Sequence, residues 1–336
     1  MNILVTGGSG TVGRGVVTRL VNSGHVVRVL DTRADKDPIA GAAYVIGDIT
    51  RFDDVREQVR GMNGIVHLAA YTFPAAAAGQ DIFRVNCTGA YNIFEAAASE
   101  GIQRVTCASS INALGYNFGV KSFPIRYFPI DEDHPTGASD PYSFSKQTLE
   151  STAAYYWRRD GIVSTCLRLP SVFAAEMTLS FVRPILEARQ QVLKELLTAP
   201  LERQHEWIAK IADRLADQRA RRMTERPWRE RMPGPPDEVF IAGFGHTDFW
   251  AIIDVEDAAQ AFEKSLLADF EGSHALFVCQ RENATGVESE RLLDLFYPEV
   301  GERKRPITGA ASIVSYDHAA KLIGYEPQVL VRDRLA

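Results

Sequence analysis

The stretch Thr6-Gly7-Gly8-Ser9-Gly10-Thr11-Val12-Gly13 decides the fold expected of this 336-residue chain. Its glycines match the spacing G-x-G-x-x-G and the close variant G-x-x-G-x-x-G. Glycines so placed permit a tight turn and let phosphate groups approach backbone N–H groups at a helix N-terminus. A β-rich run, Asn2–Thr6, precedes the stretch, and an apolar helical stripe, Gly13–Ser23, follows it. This order of strand, glycine turn and helix predicts a dinucleotide-binding site.

Asp31 stands at the end of the next predicted strand, Val26–Leu30. A carboxylate there accepts hydrogen bonds from ribose hydroxyls and repels a 2′-phosphate, which favours NAD over NADP. Arg33 would instead attract that phosphate, so NADP stays as the less favoured cofactor. Asp48-Ile49, behind a third strand, is placed to frame the adenine, although Asp48 also suits a plain turn.

Strands and helices alternate through the first half of the chain. The predicted strands are Asn2–Thr6, Val26–Leu30, Tyr44–Ile46, Gly64–Leu68, Arg104–Ala108 and Val163–Leu169. The predicted helices are Gly13–Ser23, Asp53–Arg60, Phe83–Ala98 and Tyr142–Arg159. Alternation at this spacing predicts parallel βαβ units, and hence an α/β fold with a doubly wound parallel sheet of the Rossmann type.

A basic insertion, residues 177–236, interrupts that alternation with 12 Lys and Arg against 8 Asp and Glu. It predicts two helices, Phe181–Leu197 and Leu201–Thr224. Later elements are predicted as a strand at Val239–Ala242, a helix at Asp257–Leu267, a strand at Ala275–Cys279 and a C-terminal helical region. We therefore expect a nucleotide-binding domain, residues 1–170 with 241–267 returning to it, and a smaller, partly helical substrate lobe, residues 171–240 and 268–336.

Composition and charge argue against several classes of protein. The net charge of −6 and the pI near 5.7 disfavour a nucleic-acid surface. No apolar run approaches the roughly 18 residues that a membrane span needs, and the first strand begins at once, so we expect no leader and a cytoplasmic location. The four cysteines show no C-x-x-C and are expected to be buried free thiols. The histidines, His67 among them, lack metal-ligand spacing, so no metal is expected.

A chemical signal comes from Tyr142 and Lys146, which lie one turn apart on a predicted helix. An ammonium beside a phenol stabilises its anion and lowers the pKa of the phenol toward neutrality. Such a phenol exchanges a proton with an alcohol or a carbonyl. The glycine stretch would supply the hydride carrier that this proton exchange needs.

With these motifs the chain resembles the extended short-chain dehydrogenases/reductases, the NAD-dependent epimerase/dehydratase family, over nearly its whole length. The matching motifs are T-G-G-x-G-x-x-G at 6–13, Asp31, G-D-I at 47–49, H-L-A-A at 67–70, V-N-x-x-G at 85–89, A-S-S at 108–110, Y-x-x-x-K at 142–146, R-x-P at 168–170, D-V-E-D-A-A at 254–259 and L-I-G-Y-E-P at 322–327.

The resemblance implies a role for each matching residue. Tyr142 would be the general acid/base, Lys146 would lower its pKa and bind the nicotinamide ribose, and Ser110, or else Ser109, would hydrogen-bond the reacting oxygen. The implied cofactor-binding residues are Gly7, Gly10, Thr11, Val12, Gly13, Asp31, Arg33, Asp48, Ile49, Leu68, Ala69, Ala70, Asn86, Lys146 and Pro170. The family also implies a homodimer through helices 83–98 and 142–159.

Departures from the family motifs narrow the set of reactions that the enzyme could catalyse. Family dehydratases carry an acidic pair after the catalytic hydroxyl, where this chain has Ile111-Asn112, so dehydration is disfavoured. Family epimerases carry an Asn at the position of Ser171. They also carry an R-D-F/Y segment whose Arg binds the diphosphate, where this chain reads Thr247-Asp248-Phe249-Trp250. Arg183 could replace that Arg, or the basic insertion could be a solvated face. Uronate dehydrogenases are similar, because their A-S-S-N and G-Y pair are comparable to Ala108–Ser110, Asn112 and Gly115-Tyr116. They also have the Ser and lack the later Arg, but they are shorter and lack the insertion.

The sequence therefore predicts an NAD-dependent oxidoreductase that transfers hydride at a secondary alcohol or ketone of a sugar or sugar acid. The alternatives are an epimerase that retains its NAD and a non-catalytic, NAD-sensing protein of the same fold. The substrate-side candidates, each of which also suits a packing role, are Asn112, Ser171, Phe249 and Trp250.

Overall fold

A seven-stranded parallel sheet forms the centre of the computed structural model, which describes residues 1–174, 183–226, 230 and 236–334. Two short two-stranded sheets lie outside it. The strands are β1 Asn2–Thr6, β2 Val26–Asp31, β3 Ala42–Ile46, β4 Gly64–His67, β5 Arg104–Ser110, β6 Tyr127–Phe128, β7 Val163–Leu169, β8 Ser171–Phe173, β9 Ile252–Asp254, β10 Ser273–Phe277 and β11 Glu302–Arg303.

The strand order in the large sheet is β3-β2-β1-β4-β5-β7-β10, and every pairing is parallel. The chain moves outward from β1 to one edge and then returns to build the other half from β4. Neighbouring crossovers leave a crevice at this reversal, above the carboxyl ends of β1 and β4. The predicted Rossmann-type α/β sheet is confirmed.

Helices cover both faces of this sheet. Val16, Val17 and Leu20 of one helix pack against one face, and Ile93 and Phe94 of another pack against the opposite face. The helices are α1 Thr11–Asn22, α2 Phe52–Val59, α3 Gly79–Phe83, α4 Gly89–Ser99, α5 Pro141–Asp160, α6 Arg183–Thr198, α7 Leu201–Ala220, α8 Glu238–Gly243, α9 Val255–Leu267, α10 Ser289–Phe296 and α11 Asp317–Ile323. A π-helical turn, Arg84–Thr88, joins α3 to α4, so the helix predicted at 83–98 is divided.

The lobe has cores of its own. One is centred on Phe128, Phe249 and Tyr297, and the other joins Leu193 of α6 to Trp207 of α7. The first insertion helix was predicted from residue 181, and residues 181–182 lie outside the described part of the chain. The second begins at the predicted residue but ends at Ala220. None of the described helices combines the length and the apolarity that a membrane crossing requires.

Two predictions for the second half of the chain need correction. The strand predicted at Val239–Ala242 is the helix α8, because Asp237 caps it by accepting a hydrogen bond from the backbone N–H of Phe240. A short apolar run cannot be assigned to helix or strand by periodicity alone. The second correction concerns β10, which pairs with β7 in the large sheet, so part of the predicted lobe 268–336 belongs to the Rossmann domain.

The four cysteines are buried free thiols, as predicted. Cys107 lies on β5 and Cys166 on β7, side by side in the parallel register. Their burial in the sheet explains why these thiols need neither a disulfide nor a metal for stability.

Candidate active site

A cleft of about 1150 Å³ opens above the carboxyl ends of the central strands. We call it the cofactor cleft. Of the predicted cofactor-binding residues all but Asn86 line it, and so do Ser110, Tyr142, Asn112 and Ser171. The fold therefore brings together residues that the sequence separates by more than 160 positions.

The glycine turn shapes one end of the cofactor cleft through close backbone contacts. A Cβ on Gly7, whose φ is +72°, would lie 2.7 Å from the backbone N of Ala69. A Cβ on Gly13 would lie 2.3 Å from the carbonyl O of Gly7, so α1 could not pack this closely against β1. Helix α1 begins at Thr11, directly after Gly10, and its free N–H groups form an anion-binding helix N-terminus.

Asp31 lies at the carboxyl end of β2 beside this turn. Its Oδ2 accepts a hydrogen bond from the backbone N of Ser9 at 3.2 Å, and its Oδ1 accepts one from that of Thr32 at 2.8 Å. The carboxylate is thereby held at the cleft wall, with Arg33 and Asp48 lining the same cavity. An anion-binding helix N-terminus beside a fixed carboxylate fits the pyrophosphate and ribose of NAD.

The side chains of Tyr142 and Lys146 are buried on the first turns of α5. The Nζ of Lys146 donates a hydrogen bond of 2.6 Å to the carbonyl O of Ala108 and lies 5.7 Å from the centre of the Tyr142 ring. Ser110 hydrogen-bonds the phenol and accepts a hydrogen bond from the backbone N of Asn112 at 3.1 Å. Asp140 fixes the start of α5 by accepting a hydrogen bond from the N–H of Ser143.

The electrostatics of this cluster differ from the prediction. Burial raises the pKa of Tyr142 to about 12, although the hydrogen bond from Ser110 acts in the opposite direction. Burial likewise lowers the pKa of Lys146 to about 8. The predicted lowering of the phenol's pKa assumed that the Lys charge dominates, whereas here the ammonium is bonded to Ala108 and desolvation dominates.

Ser109, the alternative to Ser110, is held elsewhere. Its Oγ donates a hydrogen bond of 2.6 Å to Oε1 of Glu150. Glu150 also forms a two-pronged ion pair with Arg168, in which both nitrogen–oxygen distances are 2.9 Å. This geometry favours Ser110 as the hydroxyl that faces a substrate.

Asn86 supports the cleft from behind. Its side chain exchanges hydrogen bonds with both backbone groups of Tyr71 and donates one to Oγ of Ser145. It therefore fixes the strand end Leu68–Tyr71 against α5. His67, one of the histidines without metal-ligand spacing, is buried and bonded to Oγ1 of Thr6 at 2.8 Å. Burial lowers the pKa of His67 to about 3, so its imidazole stays neutral.

A second cavity of about 750 Å³ adjoins the cofactor cleft, and we call it the insertion chamber. Its walls come from α6, α7 and α8 and from the segment 244–252. Phe118, Ser171 and Asp248 line both cavities, so they mark the passage between them.

A family model for the NAD dependent epimerase/dehydratase family matches residues 3–209. The chain belongs to this family. The fit of the cofactor cleft to NAD agrees with that membership.

Individual relatives of the family differ in what their names describe. A putative UDP-glucose 4-epimerase of Methanocaldococcus jannaschii is 29% identical over 177 residues, which are 51% of this chain and 56% of the relative. A 3β-hydroxysteroid dehydrogenase/Δ5→4-isomerase of monkeypox virus is 37% identical over 120 residues, which are 34% of this chain and 35% of the relative. The matches thus span about half or less of the length of these relatives.

A solved structure of uronate dehydrogenase from Agrobacterium tumefaciens superposes with a TM-score of 0.60 at 18% identity. The superposition covers 99% of this chain and 86% of that chain. It shows that this member of the epimerase/dehydratase family has the fold of that dehydrogenase.

The four substrate-side candidates occupy different environments. Asn112 and Ser171 line the cofactor cleft, and Oδ1 of Asn112 is buried without a hydrogen-bond partner. Phe249 lines neither cavity, since it is 1% exposed and stacks on Tyr116 with 5.4 Å between ring centres. Its candidacy as a substrate contact is corrected to a packing role. Trp250 is equally buried but borders the insertion chamber.

In the sequence, Asp248 stands out only as a position of a family motif. The structure places it at the passage between the two cavities. It accepts a hydrogen bond of 2.8 Å from Nδ2 of Asn117, whose Oδ1 in turn accepts one from Thr247. Burial raises the pKa of Asp248 to about 7. The motif signal was present, but only the fold reveals that this carboxyl faces the cofactor cleft.

Proposed function

We propose that this enzyme transfers hydride between NAD and a secondary alcohol or ketone of a sugar-like substrate through Ser110, Tyr142 and Lys146. One observation carries the proposal. The three side chains converge in the same cleft as the glycine turn and Asp31, and the cleft opens at Asp248 into a second chamber.

The residues divide the chemistry among them. The phenol of Tyr142 exchanges the hydroxyl proton of the substrate, and the hydroxyl of Ser110 hydrogen-bonds the reacting oxygen. When bound, NAD supplies the hydride acceptor or donor. Lys146 places a positive charge in the first turns of α5, which stabilises a phenolate that forms during proton transfer. The burial of both side chains excludes water from this exchange.

Cofactor binding is assigned to the residues that line the cleft. The N–H groups at the start of α1 would hold the pyrophosphate, and Asp31 would accept hydrogen bonds from the adenosine ribose. Asp48 and Ile49 would border the adenine, while Lys146 and Pro170 would border the nicotinamide end. Asn86 acts indirectly by holding Tyr71.

Two substrate classes follow from the relatives. The similarity of the fold to uronate dehydrogenase favours oxidation of a sugar acid, and the relatives named UDP-glucose 4-epimerase favour an NAD-retaining epimerase as the second candidate.

The test compares the purified enzyme with Tyr142→Phe, using galacturonate, glucuronate, UDP-glucose and UDP-galactose with NAD. We expect Tyr142→Phe to lose turnover by about a thousandfold while its NAD affinity stays within about twofold. Formation of NADH supports a dehydrogenase, and interconversion of the UDP-sugars without NADH supports the epimerase. Tyr155→Phe, on an exposed position of the same helix, is the control and should keep full activity. An active Tyr142→Phe enzyme would refute the mechanism.

The proposal extends to a homodimer formed by α4 and α5. Four aromatic side chains on and next to these helices are more than a third exposed: Phe83, Tyr91, Phe144 and Tyr155. Exposed aromatic clusters are typical of protein interfaces. Light scattering should give a dimer for the wild type and a monomer for Phe144→Asp. A monomeric wild type would contradict this part of the proposal.

A further inference from the structure

The insertion chamber is larger and more apolar than a single sugar ring requires. Its volume of about 750 Å³ is that of a site for a drug-sized ligand. Apolar side chains dominate its walls, and those that carry the argument are Phe118, Leu186, Ile211, Leu215, Phe240 and Trp250. Binding of an apolar group against these walls is favourable, because it removes apolar surface from water.

Most polar side chains of the chamber are already engaged within the protein. Asn117, Thr247 and Asp248 bond one another, Thr224 donates to the carbonyl O of Phe118, and the imidazole of His246 is bonded to the carbonyl O of Gly243. A sugar needs free donors and acceptors for each of its hydroxyls. These side chains offer few, so the chamber suits an apolar group better than a second sugar.

Two arginines in the chamber wall, Arg189 and Arg219, form no ion pair with any described carboxylate. Arg189 is 2% exposed, and among the described residues it donates to the carbonyl O atoms of Phe244 and Ala284 alone. Arg219 is half-buried and donates to the carbonyl O of Tyr116. Within the described residues neither has a carboxylate partner, and the Nε of each lacks a hydrogen bond.

Arg214, on the same helix as Arg219, provides the contrast. It forms a two-pronged ion pair with Asp237, with distances of 2.7 and 2.6 Å. A buried cation is ordinarily paired, because its desolvation is otherwise uncompensated. The absence of a described acidic partner at Arg189 and Arg219 therefore points to an anion that arrives with the ligand.

We propose that the insertion chamber binds an apolar, anion-bearing part of the substrate, whose negative charge lies at Arg219 with Arg189 adding to the field. The passage at Ser171 and Asp248 would let the alcohol of the same molecule reach Tyr142. The binding half of this proposal stands alone, whereas the link to Tyr142 rests on the proposed function.

A matched pair of fluorescent probes tests the binding half without any redox reaction. 1-Anilinonaphthalene-8-sulfonate carries an apolar body and an anion, and N-phenyl-1-naphthylamine has the same body without the charge. We expect both to bind the folded enzyme, the sulfonate about tenfold more tightly. Equal affinities would overturn the role of the arginines, and failure of both probes to bind would overturn the chamber as an apolar site.

Variants on one helix locate the probes. Arg219→Gln should remove the sulfonate's advantage and leave the neutral probe unchanged, whereas Arg219→Lys should restore part of it. Lys210→Gln, at an exposed position of α7 outside the chamber lining, is the matched control and should alter neither affinity. Leu215→Trp should fill the chamber and weaken both probes, while Ala216→Trp, at an exposed neighbouring position, should not. Thermal melts identify a variant that has lost its fold, and unchanged binding in folded Leu215→Trp would overturn the location.

A turnover experiment tests the link to Tyr142. The substrates are 4′-(1-hydroxyethyl)biphenyl-4-carboxylate and 1-(biphenyl-4-yl)ethanol, each with NAD. We expect the carboxylate to have the higher kcat/KM by about tenfold, through KM, and Arg219→Gln to abolish the difference. If the enzyme oxidises uronates but Arg219→Gln changes the affinity of neither probe, this inference is refuted and the proposed function is not. If the sulfonate binds at Arg219 but no alcohol reduces NAD, the proposed function is refuted, while the binding half of this proposal stands.

Discussion

The cofactor cleft and the insertion chamber adjoin each other but are built in different ways. The cleft is shaped by backbone, as in the contact of Gly13 with Gly7 and the hydrogen bonds that hold Asp31. The chamber is shaped by side chains from α6, α7 and α8, which belong to separate stretches of the chain. A backbone-built site needs particular residues at fixed spacing, whereas a side-chain-built site needs only a suitable set of volumes and charges.

This difference separates two functions of the enzyme. The cleft is proposed to bind NAD and is built around a short glycine motif that lies in the part of the chain matched by the family model. The chamber is lined partly by the insertion and can change its ligand by a few side-chain replacements. Substitutions in the cleft should therefore cause large losses of stability or cofactor binding. Substitutions in the chamber should have smaller effects that depend on the ligand.

The largest effect is expected at Gly13. In Gly13→Ala the new Cβ would lie 2.3 Å from the carbonyl O of Gly7 and 2.6 Å from the Cα of Gly8. Because both neighbours are backbone atoms, α1 must move away from β1, and we expect a loss of about 3 kcal/mol in the free energy of unfolding. Urea unfolding measures the loss, and NAD titration should show weaker binding.

Gly301→Ala is the matched control, since a Cβ there meets no atom within 4 Å. It should change the free energy of unfolding by less than about 0.5 kcal/mol. If Gly13→Ala is as stable as Gly301→Ala, the cleft is not built by backbone contact and the comparison fails.

Glu132 extends the comparison to pH, because this largely buried carboxyl lies four residues after Phe128 of the lobe core and contacts β10 of the large sheet. It accepts a hydrogen bond of 2.7 Å from the backbone N of Phe277, and burial raises its pKa to about 7. Because the pKa of this carboxyl is higher in the folded state than in the unfolded state, where it is about 4.5, protonation stabilises the folded protein. This stabilisation is fully present below pH 4.5 and is lost as the pH rises to about 7. Glu132→Gln should therefore be about 2 kcal/mol more stable than wild type at pH 8 and equally stable at pH 4.5.

Urea unfolding at the two pH values measures this difference. Glu299→Gln, on an exposed residue, should match the wild type at both. A pH-independent difference between wild type and Glu132→Gln would show that the carboxyl does not titrate in the folded lobe.

The same contrast explains how far the sequence could predict the molecule. The Rossmann-type sheet and the cleft positions of Gly7, Asp31 and Ser110 could be predicted from local motifs, because each of these residues lies at a turn or a strand end. The pKa of Tyr142 could not be predicted, because it depends on how deeply α5 packs. The chamber was equally invisible, since residues as distant as Phe118 and Phe240 line it without any periodic spacing.

Asp31 tests the cofactor side with a moderate expected effect. Its carboxylate is held by Ser9 and Thr32 at the cleft wall, where a ribose diol would bind. Asp31→Ala should weaken NAD about tenfold, which corresponds to the loss of a charged hydrogen bond, and should weaken NADP less. Calorimetric titration of both cofactors gives the ratio. Asp213→Ala, on an exposed face of α7, should leave both affinities unchanged, and a constant NAD/NADP ratio in Asp31→Ala would refute NAD selection by this residue.

Asp248 has the smallest expected effect and tests the boundary between the two sites. Burial raises its pKa to about 7, and its negative charge raises the pKa of Tyr142. When Asp248 ionises above pH 7, it should therefore oppose formation of the Tyr142 phenolate. Asp248→Asn removes this charge, so the inflection of kcat/KM near pH 7 should disappear and activity at pH 8 should rise by about threefold or less. Asp213→Asn should keep the wild-type profile. An unchanged inflection in Asp248→Asn would mean that the passage does not couple the chamber to Tyr142, and that the two cavities work as independent sites.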